Sequence, residues 1–214
     1  MLTLVIDTAT PAVTAGVLEV GESVTVLAEK VTVNGKAHGE LLAPSIRLAL
    51  SEAGFVTKDL KAIVAGVGPG PFTGLRVGLV TATALGHALG IPTYAVGTLD
   101  ALGHGTAGRL LVATDARRKE LYFGVYADGV PVSGPSVAKP ADISGDYEAA
   151  VGAGAHLYPL GVPVLDEPLY PSVRAFGELA AERIRSGAPD EKLTPLYLRR
   201  PDAVPPGAPR TPRG

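Results

Sequence analysis

The sequence has 214 residues, 46% of them hydrophobic and 19% charged, with a formal net charge of −2. This balance implies a soluble globular protein of one large or two small domains. No overall field draws it to nucleic acid or an anionic membrane, so any contact with RNA has to come from a local patch or through a partner. The absence of cysteine excludes disulfides, thiolate nucleophiles and cysteine metal sites, and fits a reducing cytoplasm.

The N-terminus, 1-MLTLVIDTAT-10, has neither a basic leader nor a long apolar run, so no signal peptide is expected. The apolar stretches are too short for a bilayer, and no membrane association is expected. Residues 2–7 (LTLVID) read as a strand, TATPA as turn chemistry, and 13–20 (VTAGVLEV) and 23–33 (SVTVLAEKVTV) as two more strands, parted by Gly21-Glu22. A helix is predicted from His38 to Ala53, with Leu42, Ile46 and Leu50 four apart and Gly54 as its stop. Pro44 should kink it or mark its true first turn. Residues 61–68 (KAIVAGVG) form a buried strand, and a helix follows from about Thr73 to Leu89, ended by Gly90 and Pro92.

The opening then recurs. Residues 109–134 lie over residues 2–27 with three features in register: an apolar run ending in aspartate (Asp7, Asp115), a Gly-Val pair (Gly16-Val17, Gly124-Val125) and a turn (Gly21, Gly129). This predicts a duplicated domain. Residues 149–155 (AAVGAGA) echo the glycine strand-loop. Residues 173–184 supply the second copy with one helix, burying Val173, Phe176, Ala180 and Ile184. The expected organisation is a first lobe over 1–105, a second, reduced lobe over 106–200, and a disordered proline-rich tail over 201–214. Two successive β-β-β-α units with aspartate-bearing hairpins imply an α/β fold of the actin-like and sugar-kinase-like class, where two lobes face each other across a cleft and hairpin turns grip nucleotide phosphates. That analogy fixes no activity.

The glycine loop 66-GVGPGPFTGLRVGLV-80 satisfies neither the Walker pattern nor the dinucleotide pattern. Thr73 is placed to cap the helix and Gly74 lies in its first turn, so helix N–H groups would face an anion, with Arg76 adding charge. Two readings stay open, an anion cradle and a tight strand-to-helix turn. The phosphate-facing candidates are Asp7, Thr8, Gly68, Gly70, Thr73, Arg76 and Asp115. Asp7 and Asp115 serve equally well as turn formers bonding their own backbone. Within the helix, Gly74, Gly78, Ala82 and Gly86 form a ridge almost without side chains that lets another helix approach closely, either from the same chain or from a partner. No two of the four histidines have the spacing of a helical metal pair, and no nucleophile elbow is present. The basic cluster 116-ARRKE-120 reads as a solvated turn or as a contact for an acidic partner or phosphate.

The segments 6-IDTAT-10, 38-HGELLAPSI-46, 66-GVGPGPFTGLRVG-78, 113-ATDARRKELY-122 and 195-PLYLR-199, in order over most of residues 1–200, resemble the bacterial TsaB (YeaZ) family of tRNA threonylcarbamoyladenosine biosynthesis proteins. The resemblance implies a paralogue of TsaD, which transfers a threonylcarbamoyl group to A37 of tRNAs reading codons that start with A. The histidines that hold TsaD's metal fall here on Thr98 and Leu102, which cannot replace them. It therefore implies a non-catalytic subunit with no cofactor or metal of its own. Its implied partners are a TsaD-like catalytic subunit and a TsaE-like ATPase, with tRNA met indirectly through the complex, and it is a homodimer when alone. The family's partner surface involves the first lobe's two helices, which makes Leu42, Ile46, Gly74, Gly78, Ala82 and Gly86 the interface candidates. The alternative, from the hairpin aspartates and the glycine loop, is a small-molecule kinase or ATPase of actin-like fold.

Overall fold

The computed structural model describes residues 1–199. The predicted disordered tail, 201–214, lies outside the described residues. Strands β1 (Leu2–Asp7), β2 (Ala12–Val20) and β3 (Val24–Val33) form an antiparallel meander. Helix α1 (His38–Ala53) leads to β4 (Ala62–Gly66), parallel to β1. Helix α2 (Phe72–Leu89) leads to β5 (Thr93–Val96), parallel to β4. The sheet order is β3-β2-β1-β4-β5.

A short helix α3 (Thr98–Gly103) precedes the second sheet: β6 (Arg109–Asp115), β7 (Leu121–Ala127), β8 (Val130–Ala138) and β9 (Ala149–Val151), in the order β8-β7-β6-β9. Strand β9 runs parallel to β6 as β4 does to β1, so AAVGAGA takes the place of the first glycine strand-loop. Gly152, just after β9, has φ +100°, a conformation that favours glycine. The repeat seen in the sequence is thus a repeat of topology, an actin-like α/β architecture in which the second copy is reduced.

The first sheet is covered on both faces, and the period of two along its strands divides the core. Leu4, Ile6, Ile63 and Ala65 face α1 and α2, meeting Leu42, Ile46, Leu75 and Leu79. Val5, Val64, Leu18 and Tyr94 face the other way. That second face is closed by α4 (Val173–Arg185), whose Val173, Phe176, Ala180 and Ile184 are fully buried there. The buried stripe of 173–184 matches expectation, but the helix covers the first sheet rather than the second. The physical reason is space. A Cβ on Gly16 of β2 would collide with Val173, and one on Gly177 would stand 2.6 Å from Leu18. The two glycines let helix and strand meet at backbone distance. Ser172 caps α4 by accepting the Ala175 N–H at 3.1 Å.

Helix α1 has the expected bounds, with Pro44 inside it rather than in its first turn. One boundary differs from expectation. Helix α2 starts at Phe72 after Pro71, with no side-chain cap, and exposed Thr73 lies in its first turn instead of capping it. Beyond α4 the chain runs back along the edge of β5. The Glu191 N–H donates to the Thr93 carbonyl, the Leu196 N–H donates to the Val67 carbonyl, and Arg183 grips both carboxylate oxygens of Glu191 at 2.8 and 2.9 Å. Among the described residues no helix is long and apolar enough to cross a membrane.

Candidate functional site

Most of the phosphate-facing candidates are spent inside the fold. Asp7, at the end of β1, is 1% exposed. Its Oδ1 accepts from the Thr98 hydroxyl at 3.0 Å and from the Ala9 N–H at 3.4 Å, and it lies against Gly66, where a Cβ would collide with it. Oδ2 has no hydrogen-bond partner. Burial pushes the carboxyl up to about 6, opposed by the bonds from Thr98, Ala9 and Thr8. Thr8 bridges one turn of α2, donating to the Gly74 carbonyl at 2.7 Å and accepting from the Gly78 N–H at 2.9 Å. Gly70 packs its backbone against Ala9, and Gly68 (φ +95°) turns beneath Leu75. This is the tight-turn reading of the glycine loop.

The small-residue ridge is spent in the same way. Gly74, Gly78, Ala82 and Gly86 are all buried, and the ridge faces the chain's own sheet. A Cβ on Gly78 would stand 2.5 Å from the Thr8 hydroxyl, one on Gly74 2.9 Å from the Thr8 carbonyl, and one on Gly86 2.6 Å from Thr93. Leu42 and Ile46 are likewise core residues, 2% and 6% exposed. The six expected interface residues are therefore corrected to interior ones. A helix that must lie directly on a β-sheet needs a flat face, and these residues provide it. The opposite faces of the two helices, packed side by side, are what solvent meets: Leu48 is 55% and Val80 66% exposed.

Thr73 and Asp115 do come together, on the rim of a cavity of about 280 Å³ between the hairpin tips and the starts of α1 and α2. Its walls include Lys36, His38, Phe72 and Arg117, of which only Arg117 belongs to a cluster visible as such in the sequence. Asp115 accepts its own hairpin's Arg117 N–H at 2.7 Å, as its alternative role as a turn former requires. Arg76 is held outside the cavity. Its guanidinium lies 3.7 Å over the Phe72 ring and its Nε donates to the Tyr197 hydroxyl at 2.9 Å.

Thr98, besides holding Asp7, accepts the Gly68 N–H at 3.2 Å, and Leu102 lies in the core beside Leu99 and Val112. Among the described residues no three His, Asp or Glu side chains group as metal ligands.

A family model described as TsaD, tRNA N6-adenosine threonylcarbamoyltransferase, matches residues 25–158. The Mycobacterium leprae protein ML0378 is 48% identical over 211 residues, 95% of this chain, which spans only 56% of that protein's length. The tRNA threonylcarbamoyladenosine biosynthesis protein TsaB of Escherichia coli K12 is 30% identical over 230 residues, covering 93% of this chain and 95% of that protein. The chain belongs to the TsaB (YeaZ) family. The solved structure of YeaZ from Pseudomonas aeruginosa superposes with a TM-score of 0.76 at 28% identity, over 92% of this chain and 99% of that one. In this member of the family Asp7 and Thr98 form a buried pair, the glycines of α2 face inward, and α1 and α2 turn their second faces to solvent.

Proposed function

We propose that this chain is a non-catalytic subunit in the making of threonylcarbamoyladenosine at A37 of tRNAs that read codons starting with A. It supports a TsaD-like catalytic subunit in the cytoplasm, together with a TsaE-like ATPase. The observation that carries the reading is what stands where the catalytic paralogue holds its metal. Thr98 has its hydroxyl committed to Asp7 at 3.0 Å, and Leu102 is 1% exposed in the core. Neither can serve as a ligand in place of histidine.

The partner surface is the outward face of α1 and α2, centred on Leu48 and Val80 with half-buried Leu41, Pro44 and Val77 around them. Large aliphatic side chains this exposed on two neighbouring helices favour a covered state, either a TsaD-like partner or a second copy when the partner is absent. Leu48→Glu and Val80→Glu, both on the surface, should leave the isolated fold intact by circular dichroism. They should abolish co-elution with the TsaD-like subunit and the tRNA modification that the complex restores. A fully associated, active Leu48→Glu/Val80→Glu double variant would refute this surface. The kinase or ATPase alternative requires Asp7 to reach a magnesium-bound phosphate, and at 1% exposure it does not. ATP turnover by the purified chain alone would reinstate that alternative.

A further inference from the structure

The chain is acidic overall, yet one rim is cationic. Residues Arg117, Arg118 and Lys119 form the tip of the β6–β7 hairpin, all exposed and all with positive φ (61°, 54° and 61°). Left-handed backbone costs a non-glycine residue about 1–2 kcal/mol, so three in a row form a fixed turn rather than a loose loop. The hairpin tip touches the β3–α1 turn. The Arg117 guanidinium lies 3.2 Å from where a Cβ on Gly35 would stand, which sets it beside exposed Lys36. Among the described residues Asp115, which itself lines the cavity, pairs with Arg117 at 3.5 Å, and Glu120 pairs with Arg199.

Lys36 and Arg117 form one wall of the 280 Å³ cavity, and Phe72, 38% exposed, forms another. One face of Phe72 is backed by the Arg76 guanidinium, 3.7 Å over the ring, and the Tyr197 ring lies beside it, 4.8 Å from centroid to centroid. The first turn of α2 adds leading N–H groups that have no acceptor within the helix. Cations on one wall and a backed aromatic face on the other are what single-stranded nucleic acid requires, phosphate against charge and base against ring. An acidic protein would use the cations but not the aromatic face.

We propose that this rim contacts the tRNA directly, the cavity taking one unstacked nucleotide with its base on Phe72 and its phosphate between Lys36 and Arg117. The inference rests on the tRNA-modification reading above and adds a direct contact to it. The test measures binding of unmodified tRNA, by fluorescence anisotropy across a salt series, to this chain alone and to its complex with the TsaD-like subunit, while complex assembly is followed separately by gel filtration. Lys36→Glu and Arg117→Glu should each weaken tRNA binding and lower the slope of log affinity against log salt by about one. Phe72→Leu should weaken binding about fivefold or more with the slope unchanged, and all three should assemble normally.

Wild-type affinity and slope in all three variants would overturn the inference. So would variants that bind tRNA normally but lose a protein partner, which would assign the rim to an acidic protein. Variants that lose only the binding of free ATP or ADP would do the same and assign the cavity to a mononucleotide. If the wild-type chain assembles with no TsaD-like subunit, the functional reading fails, while the titrations on the chain alone still decide whether this rim binds RNA.

Discussion

Asp7 is a carboxyl buried against its preference for water, and replacing it tests the structure sharply. Its carboxyl rises from 3.8 to about 6 because it is enclosed, with Oδ2 unpartnered and only Thr98 and backbone N–H groups opposing the burial. At about 1.36 kcal/mol per pKa unit, ionising it in the folded state costs about 3 kcal/mol relative to the unfolded chain. The sign follows from proton counts. Between about pH 4 and 6 the folded state holds a proton that the unfolded state has lost, so stability falls as pH rises through that window and stays lower above it. Asn is isosteric with the protonated acid and can still accept from Thr98 and Ala9. Urea unfolding followed by circular dichroism at pH 4, 5, 6 and 8 should show Asp7→Asn matching the wild type at pH 4. It should exceed the wild type by up to about 3 kcal/mol at pH 8. The difference between the two proteins removes the other carboxylates, which titrate in both. Parallel pH dependences, or a variant less stable at pH 8, would refute the burial argument.

Gly78→Ala should destabilise the fold by about 1–3 kcal/mol, because its Cβ would stand 2.5 Å from the Thr8 hydroxyl that bridges α2. Reduced denaturant midpoints with unchanged partner affinity of the folded fraction would separate this interior role from an interface role. Arg183→Ala removes the grip on Glu191 and the bond to the Ala95 carbonyl. It should free the 188–199 segment, so that limited proteolysis cuts there before it cuts the sheet and amide exchange rises at Ala95, whose N–H donates to Glu191.

The strands and the repeat were legible in the sequence because their signals are local. Alternation along 2–7 and 13–20 sorts side chains to two faces, and Asp7 and Asp115 end equivalent strands in register. The direction of the α2 ridge was not legible from the ridge itself. Gly74, Gly78, Ala82 and Gly86 say that a surface comes close, and a sheet and a partner helix satisfy that equally. What separates them is the opposite face, where Val80 stands 66% exposed. The place of α4 was hidden for a different reason. Its stripe shows that it buries one face, but the matching Gly16 lies 157 residues away, and no periodicity links the two. The cavity walls combined Lys36, Phe72 and Arg117 from three separate turns, and only the ARRKE cluster announced itself.

The two hairpins put one turn geometry to opposite uses. Each aspartate accepts the N–H two residues on, Asp7 from Ala9 at 3.4 Å and Asp115 from Arg117 at 2.7 Å, so the turns share a backbone logic. After Asp7 the chain continues Thr-Ala-Thr, all buried under the start of α2. After Asp115 it continues Ala-Arg-Arg-Lys, whose three basic residues are exposed at the hairpin tip, Arg117 paired with Asp115. A phosphate gripped between two such turns needs both open to the same cleft, and here one is sealed by the very glycines that let α2 approach. Reopening it would mean lifting α2 off the sheet and exposing Leu75 and Leu79 at about 1.5–3 kcal/mol each. The chemistry available to this chain therefore lies on its rim, where the second hairpin stays open, and on its outer helical face, where charge and apolar surface remain accessible.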